Sequence, residues 1–514
     1  MPKPAKPSPA PLAAPHRYIR GLLGVICFVA GAAVMVIEIS ANRLLAPNFG
    51  NSLYTWTALI GVILVAFSVG GYLGGALADK LKRMDLLGWL LAGAAALTML
   101  IPALNALMSD SLKDAGLISG PVTISLLLFA LPGILLGAVS PASVRFYSLQ
   151  AHDAHVGRAA GTISMLGSLG SFAGTFLSGF VLLSAFGVKT IFLGAGAALL
   201  LLALLAFTVA HKSLRSQAVP LAVGLLAAAT ALPSEAMTDP DVKFLTQSFY
   251  HRIEVLEHDT PVGWERHLKL DSTWEGGMME DGDLVLQYQR FWQLAQLNDD
   301  LKIRRALFIG AGAFGMPEQV ARLGADVQVD VVEIDPAVIE IGRQFFKLDE
   351  FPNVQAHADD ARRFLQRGHV HYDFIFGDAY NGVRHIPAHL VTREFFEAVK
   401  SRLAPDGVFL MNVISAVEGD RAALLAHVLA TLRAVFPVVE AFAEGSRPET
   451  QNVILLGSVK SWKPWLEDKF YAPSSWQARL TGARIQPAYL PAPREVLTDD
   501  WNPIDAVIAR QLGK

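Results

Sequence analysis

The chain of 514 residues contains one cysteine, Cys27. A single thiol can close no intramolecular disulfide and build no cysteine-cluster metal site, and no other metal-ligand pattern stands out. Cys27 reads as a small buried apolar residue. Charge is also scarce, at 17% of residues, where soluble globular proteins carry about 25%. Neither sign prevails: the net charge is −3, which gives no basic footprint for nucleic acid. The deficit is uneven. Residues 21–210 are long, apolar and sparsely charged, while the chain from Thr238 onward has an ordinary soluble composition.

A membrane span needs about 20 mostly apolar residues. Segments 18–45, 56–78, 86–108, 122–140, 161–186 and 191–210 meet that rule. A seventh apolar segment, 218–232, is short for a span and is expected along the interface, crossing only if another segment does not. Residues 1–17, rich in Pro and Ala, read as a disordered tail. The first segment is too long for a signal peptide, lacks a clear small-x-small exit and is followed by further spans, so a retained helix is expected. Arg17, Arg20, Lys80, Lys82, Arg83, Arg145, Arg158, Lys212 and Arg215 lie in one set of loops. Lys113 and Lys189 are nearly alone in the other. Positive loops face the cytoplasm, so the N-terminus and, after six spans, the soluble half are expected there, in a multi-pass inner-membrane protein. Small residues crowd the fifth span, as in close helix packing. Glu38, Asn42 and Arg43 place polar groups in the first span, where they are costly.

In the soluble half, residues 246–290 alternate apolar and polar positions, as in Arg252-Ile253-Glu254-Val255, with glycines between. This spacing predicts a small antiparallel β unit. From Arg305 the pattern changes. Ala306-Leu307-Phe308-Ile309 predicts a strand, Gly310-Ala311-Gly312-Ala313-Phe314-Gly315 a tight loop, and a helix follows to about Leu323. A second strand, 327–333, ends in Glu333-Ile334-Asp335-Pro336. Strand, glycine loop, helix, strand and acid about 20 residues on is the order of a nucleoside site. Glycines let the backbone approach the ligand, and the carboxylate accepts from ribose hydroxyls. Further strands end at Asp360 and Asp378. Another follows the predicted turn Leu403-Ala404-Pro405-Asp406-Gly407, and strands near 438–443 and 452–456 complete a sheet over 291–514.

With those residues assembled, the soluble half resembles the spermidine synthase family, and the whole chain its membrane-fused branch, a transporter-like bundle joined to a synthase-like domain. The resemblance covers about 249–509. It implies an α-helical transmembrane bundle over 18–236 plus an α/β part. That part is a small antiparallel β unit followed by a class I S-adenosylmethionine methyltransferase-like (Rossmann-like) sheet. The family's glycine loop falls on Gly310, Gly312 and Gly315. Its ribose acid falls on Glu333, with Asp335 beside it, and its adenine-side pair on Asp360-Ala361. Its Leu-Asp-Gly-x-x-Gln motif falls on Leu270 to Glu275, and its Tyr-Gln pair on Tyr288-Gln289. The first acid of its Asp-x-x-Asp-Pro motif is Asp378, which the resemblance makes the base that deprotonates an attacking amine. The second acid is Asn381 here and the proline is Gly382. Glu275 replaces a glutamine, and Ala313 replaces the loop acid. Tyr380 is close enough in sequence to stack on a ligand.

The resemblance implies an aminopropyltransferase that moves an aminopropyl group from decarboxylated S-adenosylmethionine to an amine such as putrescine. No permanently bound cofactor, metal or nucleic acid is expected. The partners are the amine, the lipid bilayer and a second copy of the chain. The departures at Asn381 and Ala313 keep two alternatives open. One is an S-adenosylmethionine-dependent methyltransferase with a different acceptor. The other is a transporter or sensor whose nucleoside-binding domain does not turn over.

Overall fold

Long apolar runs in the first half form helices, in which each segment satisfies its own backbone polar groups. The computed structural model of the chain describes residues 15–49, 53–112, 118–149, 156–210, 214–231, 240–297, 301–380, 385–460 and 476–512. The main boundary between two compact units falls between Ala236 and Met237. The expected tail over 1–17 lies almost wholly outside the described residues.

Six helices are long and apolar enough to cross a membrane: α1 Pro15–Phe49, α2 Leu53–Leu81, α3 Asp85–Leu112, α4 Ser119–Leu149, α5 Val156–Ala185 and α6 Val188–Val209. Each runs past the bounds read from hydropathy on at least one side. Glycine sets how closely two pairs approach. A Cβ on Gly70 of α2 would stand 2.0 Å from the carbonyl oxygen of Ile134 in α4, and one on Gly170 of α5 1.9 Å from that of Phe28 in α1. Backbones this close gain dispersion contacts that lipid tails do not replace. Arg145, near the end of α4, pairs with Asp79, near the end of α2, at 2.8 Å. Those two helices therefore end on the same side, as two helices separated by one antiparallel neighbour must. In α1, Asn42 is buried and Glu38 half-buried.

The seventh apolar segment forms a helix, α7 Leu214–Ala231. Only 217–229 of it counts as an apolar helix, shorter than a span. Ala227 is buried against Ala96 and Met99 of α3, with Leu193 of α6 packed alongside. The small residues Gly224, Ala227 and Ala228 make that contact possible, so packing with α3 and α6 decides its position.

The second unit opens with four antiparallel strands in sequence order: β1 Val242–Gln247, β2 Arg252–Thr260, β3 Gly263–Leu270 and β4 Thr273–Met279. A seven-stranded sheet follows, built from β5 Arg305–Ile309, β6 Gln328–Glu333, β7 Val354–Ala358, β8 Tyr372–Gly377, β9 Leu403–Ser415, β10 Val438–Phe442 and β11 Gln451–Ser458. Its order is β10-β11-β9-β8-β5-β6-β7. The pairs from β7 to β9 are parallel, while β11 runs antiparallel to β9 and β10. This is the class I methyltransferase-like arrangement. The inner strands are nearly continuous apolar runs, as strands covered on both faces must be. Phe308, Phe374 and Phe376 are buried and stack across β5 and β8.

The predicted turn 403–407 is a correction: those residues open β9. Tyr372 pairs with Leu403, but Phe374 pairs with Val408, so the strand carries extra residues as a bulge. Pro405, which cannot donate to a ladder, sits in that bulge, where it costs no pairing.

One buried acid follows the glycine loop. Glu318, in helix α8 Gly315–Ala321, is 1% exposed, and neither carboxyl oxygen has a partner among the described residues. Burial pushes its carboxyl up to about 9, against the pull of Arg322 and Lys347. The folded chain therefore holds it protonated, and stability is lost as pH rises from about 4.5 toward about 9. Glu318→Gln is expected to stabilise the full chain in detergent by on the order of 2–4 kcal/mol at pH 8. It should have little effect at pH 5, as read by thermal unfolding at the two pH values.

Candidate active site

The connection of the sheet creates the site. From β5 the chain moves one way to β6 and β7, then returns to the other side of β5 for β8 and β9. A crevice opens at the carboxyl ends of β5 and β8, the position where α/β sheets bind ligands. The glycine loop leaves β5 there, and Asp378 follows β8. Asp378 N–H donates to Ile309 O at 2.8 Å. Gly310 has φ +91°, and a Cβ on it would stand 2.4 Å from the carbonyl oxygen of Asp378. Only glycine tolerates both that dihedral and that approach.

The loop is tied to the second strand. Glu333 accepts from Ala311 N–H at 3.0 Å and from Asp335 N–H at 2.9 Å. Burial raises its carboxyl, while those two N–H groups and nearby His251 pull it back. Asp335 and Asp360 each cap the helix that follows their strand. Asp335 caps helix α9 Pro336–Phe345 through Ala337 N–H at 3.0 Å and accepts from the Ser248 hydroxyl, with His251 Nδ1 at 3.4 Å. Asp360 caps helix α10 Ala361–Arg367 through Arg363 N–H and meets His389 Nε2 at 3.1 Å. Ala361 is buried in the first turn of α10, and Gly315 opens α8.

At the other side of the crevice, Asp378 is held by two donors. The Tyr288 hydroxyl donates to Oδ2 and the Asn412 amide to Oδ1, each at 2.9 Å. Burial pushes the Asp378 carboxyl up to about 6, and those two hydrogen bonds pull it down. Tyr288 and Gln289 come from the 3₁₀ segment Gln287–Ala295. Gln289 is 2% exposed and its Oε1 has no partner among the described residues. The hydroxyl of Tyr380 donates to Asn412 O at 3.1 Å and accepts from Ile414 N–H at 2.8 Å. Tyr380 therefore braces β9, and its hydroxyl is already engaged.

The small sheet closes the crevice from above the loop. A Cβ on Gly312 would stand 2.5 Å from Glu275 O, and one on Gly276 3.1 Å from Ala313 N. Glu275, Tyr288 and Asp378 are half-buried to water yet deep among protein atoms, as groups lining a cleft are. Asn381 and Gly382 lie outside the described residues. His385 is bonded to Asp505 at 2.6 Å, and Asp499 is paired with Arg362.

Sequence reasoning passed over Asn412, His251 and Tyr250. Asn412 left a readable signal: it is a polar residue in the apolar strand run Phe409-Leu410-Met411, and such a residue is buried only with a partner. His251 is buried beside Asp335. The Tyr250 phenol is raised by burial and then by Asp335. Nothing in their local sequence announces contact with residues some 85 positions later.

The class of the domain is thus a class I methyltransferase-like sheet that carries a glycine loop and strand-end acids. Residues 287–454 match the family described as spermine/spermidine synthase domain. The polyamine aminopropyltransferase of Vibrio vulnificus is 37% identical over 160 residues, 30% of this chain and 51% of that protein. The N-terminal histidine N-methyltransferase of Emericella nidulans is 33% identical over 149 residues, 28% of this chain and 25% of that protein. Among solved structures, a probable spermidine synthase from Corynebacterium glutamicum aligns at 24% identity over 46% of this chain and 85% of its own, with a TM-score of 0.39. The chain thus spans about half or less of the length of these curated relatives.

The loop geometry makes a direct prediction. Gly310→Ala forces a strained dihedral costing about 1–3 kcal/mol and crowds Asp378. Calorimetric titration with methylthioadenosine should show affinity at least about tenfold weaker, since 1.4 kcal/mol is a factor of ten.

Proposed function

We propose that the soluble half is an aminopropyltransferase acting on an amine, carried on the cytoplasmic side of a membrane bundle. The observation that carries this reading is the setting of Asp378. It is a carboxylate at the switch-point crevice, oriented by Tyr288 and Asn412, with its ionisation raised to about 6. A base with that value is ionised at neutral pH and still able to accept a proton. The domain match over 287–454 supports the same reading.

An ammonium of the acceptor gives a proton to Asp378, and the freed lone pair attacks the propyl carbon next to the donor sulfur. The N–C bond forms and the S–C bond breaks. The electron pair returns to sulfur, so the sulfonium becomes the neutral thioether methylthioadenosine. Glu333 and the glycine loop hold the nucleoside, and Tyr288 and Asn412 keep Asp378 aimed at the amine. Most of the rate gain comes from that positioning and from proton removal.

A second reading keeps the same base and transfers a methyl group to an amine. The match to an N-methyltransferase favours it. The two differ in the donor, since a methyl donor keeps its carboxylate. The cytoplasmic placement rests on the loop cations and on six spans.

Release of methylthioadenosine when purified full-length protein meets decarboxylated donor and putrescine is the test. Asp378→Asn should lower kcat by about 10²–10⁴-fold, the worth of a general base. Because Asp378 must be ionised, kcat/KM should fall as pH drops through about 6. Tyr288→Phe removes one hydrogen bond that favours the carboxylate, so this acid limb should move up by roughly half to one pH unit. An unmoved limb would show that another group titrates.

A further inference from the structure

We propose that Glu275 selects the donor: its carboxylate holds the ammonium at the end of a decarboxylated donor's propyl chain and repels the carboxylate of the undecarboxylated parent. This rests on the aminopropyl reading and adds to it the residue that separates the two donors.

The placement comes from the backbone. Glu275 O lies against Gly312, and Gly276 lies against Ala313, so β4 sits directly on the loop that receives the nucleoside. The loop itself offers no charge, since its side chains are those of Ala311, Ala313 and Phe314. Glu275 is therefore the ionisable group at this point, and an ammonium beside it favours its charged form.

Its surroundings are all of one sign. Among the described residues, the charged groups that act on Glu275 are Asp378, Glu333 and Asp271. Each of those three has donors of its own: Tyr288 and Asn412 for Asp378, Ala311 and Asp335 for Glu333, and Arg252 N–H for Asp271 at 3.0 Å. For Glu275, no protein donor appears among the described residues. Beside it, Gln289 Nε2 lies 3.0 Å from where a Cβ on Gly276 would be, and Gln289 Oε1 is buried and unpartnered. Burial, and then Asp378, Glu333 and Asp271, hold the Glu275 carboxyl well above the usual carboxylate range. A cation entering the crevice relieves that strain.

The two donors differ where Glu275 stands, in the tail beyond the sulfonium. The decarboxylated donor ends in an ammonium. The parent carries an ammonium and a carboxylate on one carbon. With Glu333 marking the ribose and Asp378 the acceptor amine, the tail falls toward Glu275. An ammonium meets its complement there, whereas a carboxylate enters among four acids. Like charge against like is how a site rejects a near-identical ligand.

The test is calorimetric titration of the full chain and of Glu275→Gln in detergent. The three ligands are decarboxylated S-adenosylmethionine, S-adenosylmethionine and methylthioadenosine, which lacks the tail. The wild type should prefer the decarboxylated donor by about a hundredfold or more, and Glu275→Gln should cut that preference to below about tenfold, as expected for loss of one charged contact. Methylthioadenosine should bind both forms alike, which also reports that the variant is folded. An unchanged ratio, or an equal loss for all three ligands, would overturn the assignment of Glu275. A wild type that prefers S-adenosylmethionine would instead overturn the aminopropyl reading.

Discussion

The site depends on one close approach, the backbone of Gly310 against the carbonyl of Asp378. Two parallel strands, β5 and β8, end side by side, and their chain ends must turn away from each other without touching. A side chain at Gly310 would push them apart. Its absence lets the loop turn toward Glu333 on one side and brings Asp378 under Tyr288 and Asn412 on the other. Both sides of the crevice, the glycine loop tied to Glu333 and Asp378 with its two donors, are set by that contact. The desolvation that raises Asp378 follows, because a carboxylate so enclosed keeps only the two donors that face it.

Much of this was legible in the sequence. The strand before Gly310, the spacing to Glu333 and the acids after later strands are local patterns, and local patterns survive reading in one dimension. Hydropathy likewise found the six long helices, because lipid imposes a length that composition alone can meet. Cooperative detail was less legible. Asp335 and Asp360 stand at strand ends, and each caps the helix that follows it. A helix cap and a ligand contact call for the same residue at the same strand end, so the sequence alone does not announce the cap. Asn412 is 34 residues from Asp378 and meets it only because β9 pairs with β8.

Two segments show tertiary contact overriding a local rule. The Leu403-Ala404-Pro405-Asp406-Gly407 stretch has every mark of a turn, yet the sheet takes it in as a bulge before Val408. The helix Leu214–Ala231 is short by hydropathy, yet its small residues let it pack against α3 and α6. In both, residues chosen for close packing look like residues chosen for breaking structure.

In the proposed reaction the carbon transferred is the propyl carbon and not the methyl carbon. Full-length protein would be given a donor carrying different carbon isotopes in its methyl group and its aminopropyl chain, together with putrescine, and the products analysed by mass spectrometry. The account predicts an amine that has gained the propyl label, with the methyl label left on methylthioadenosine. An amine carrying the methyl label would contradict it.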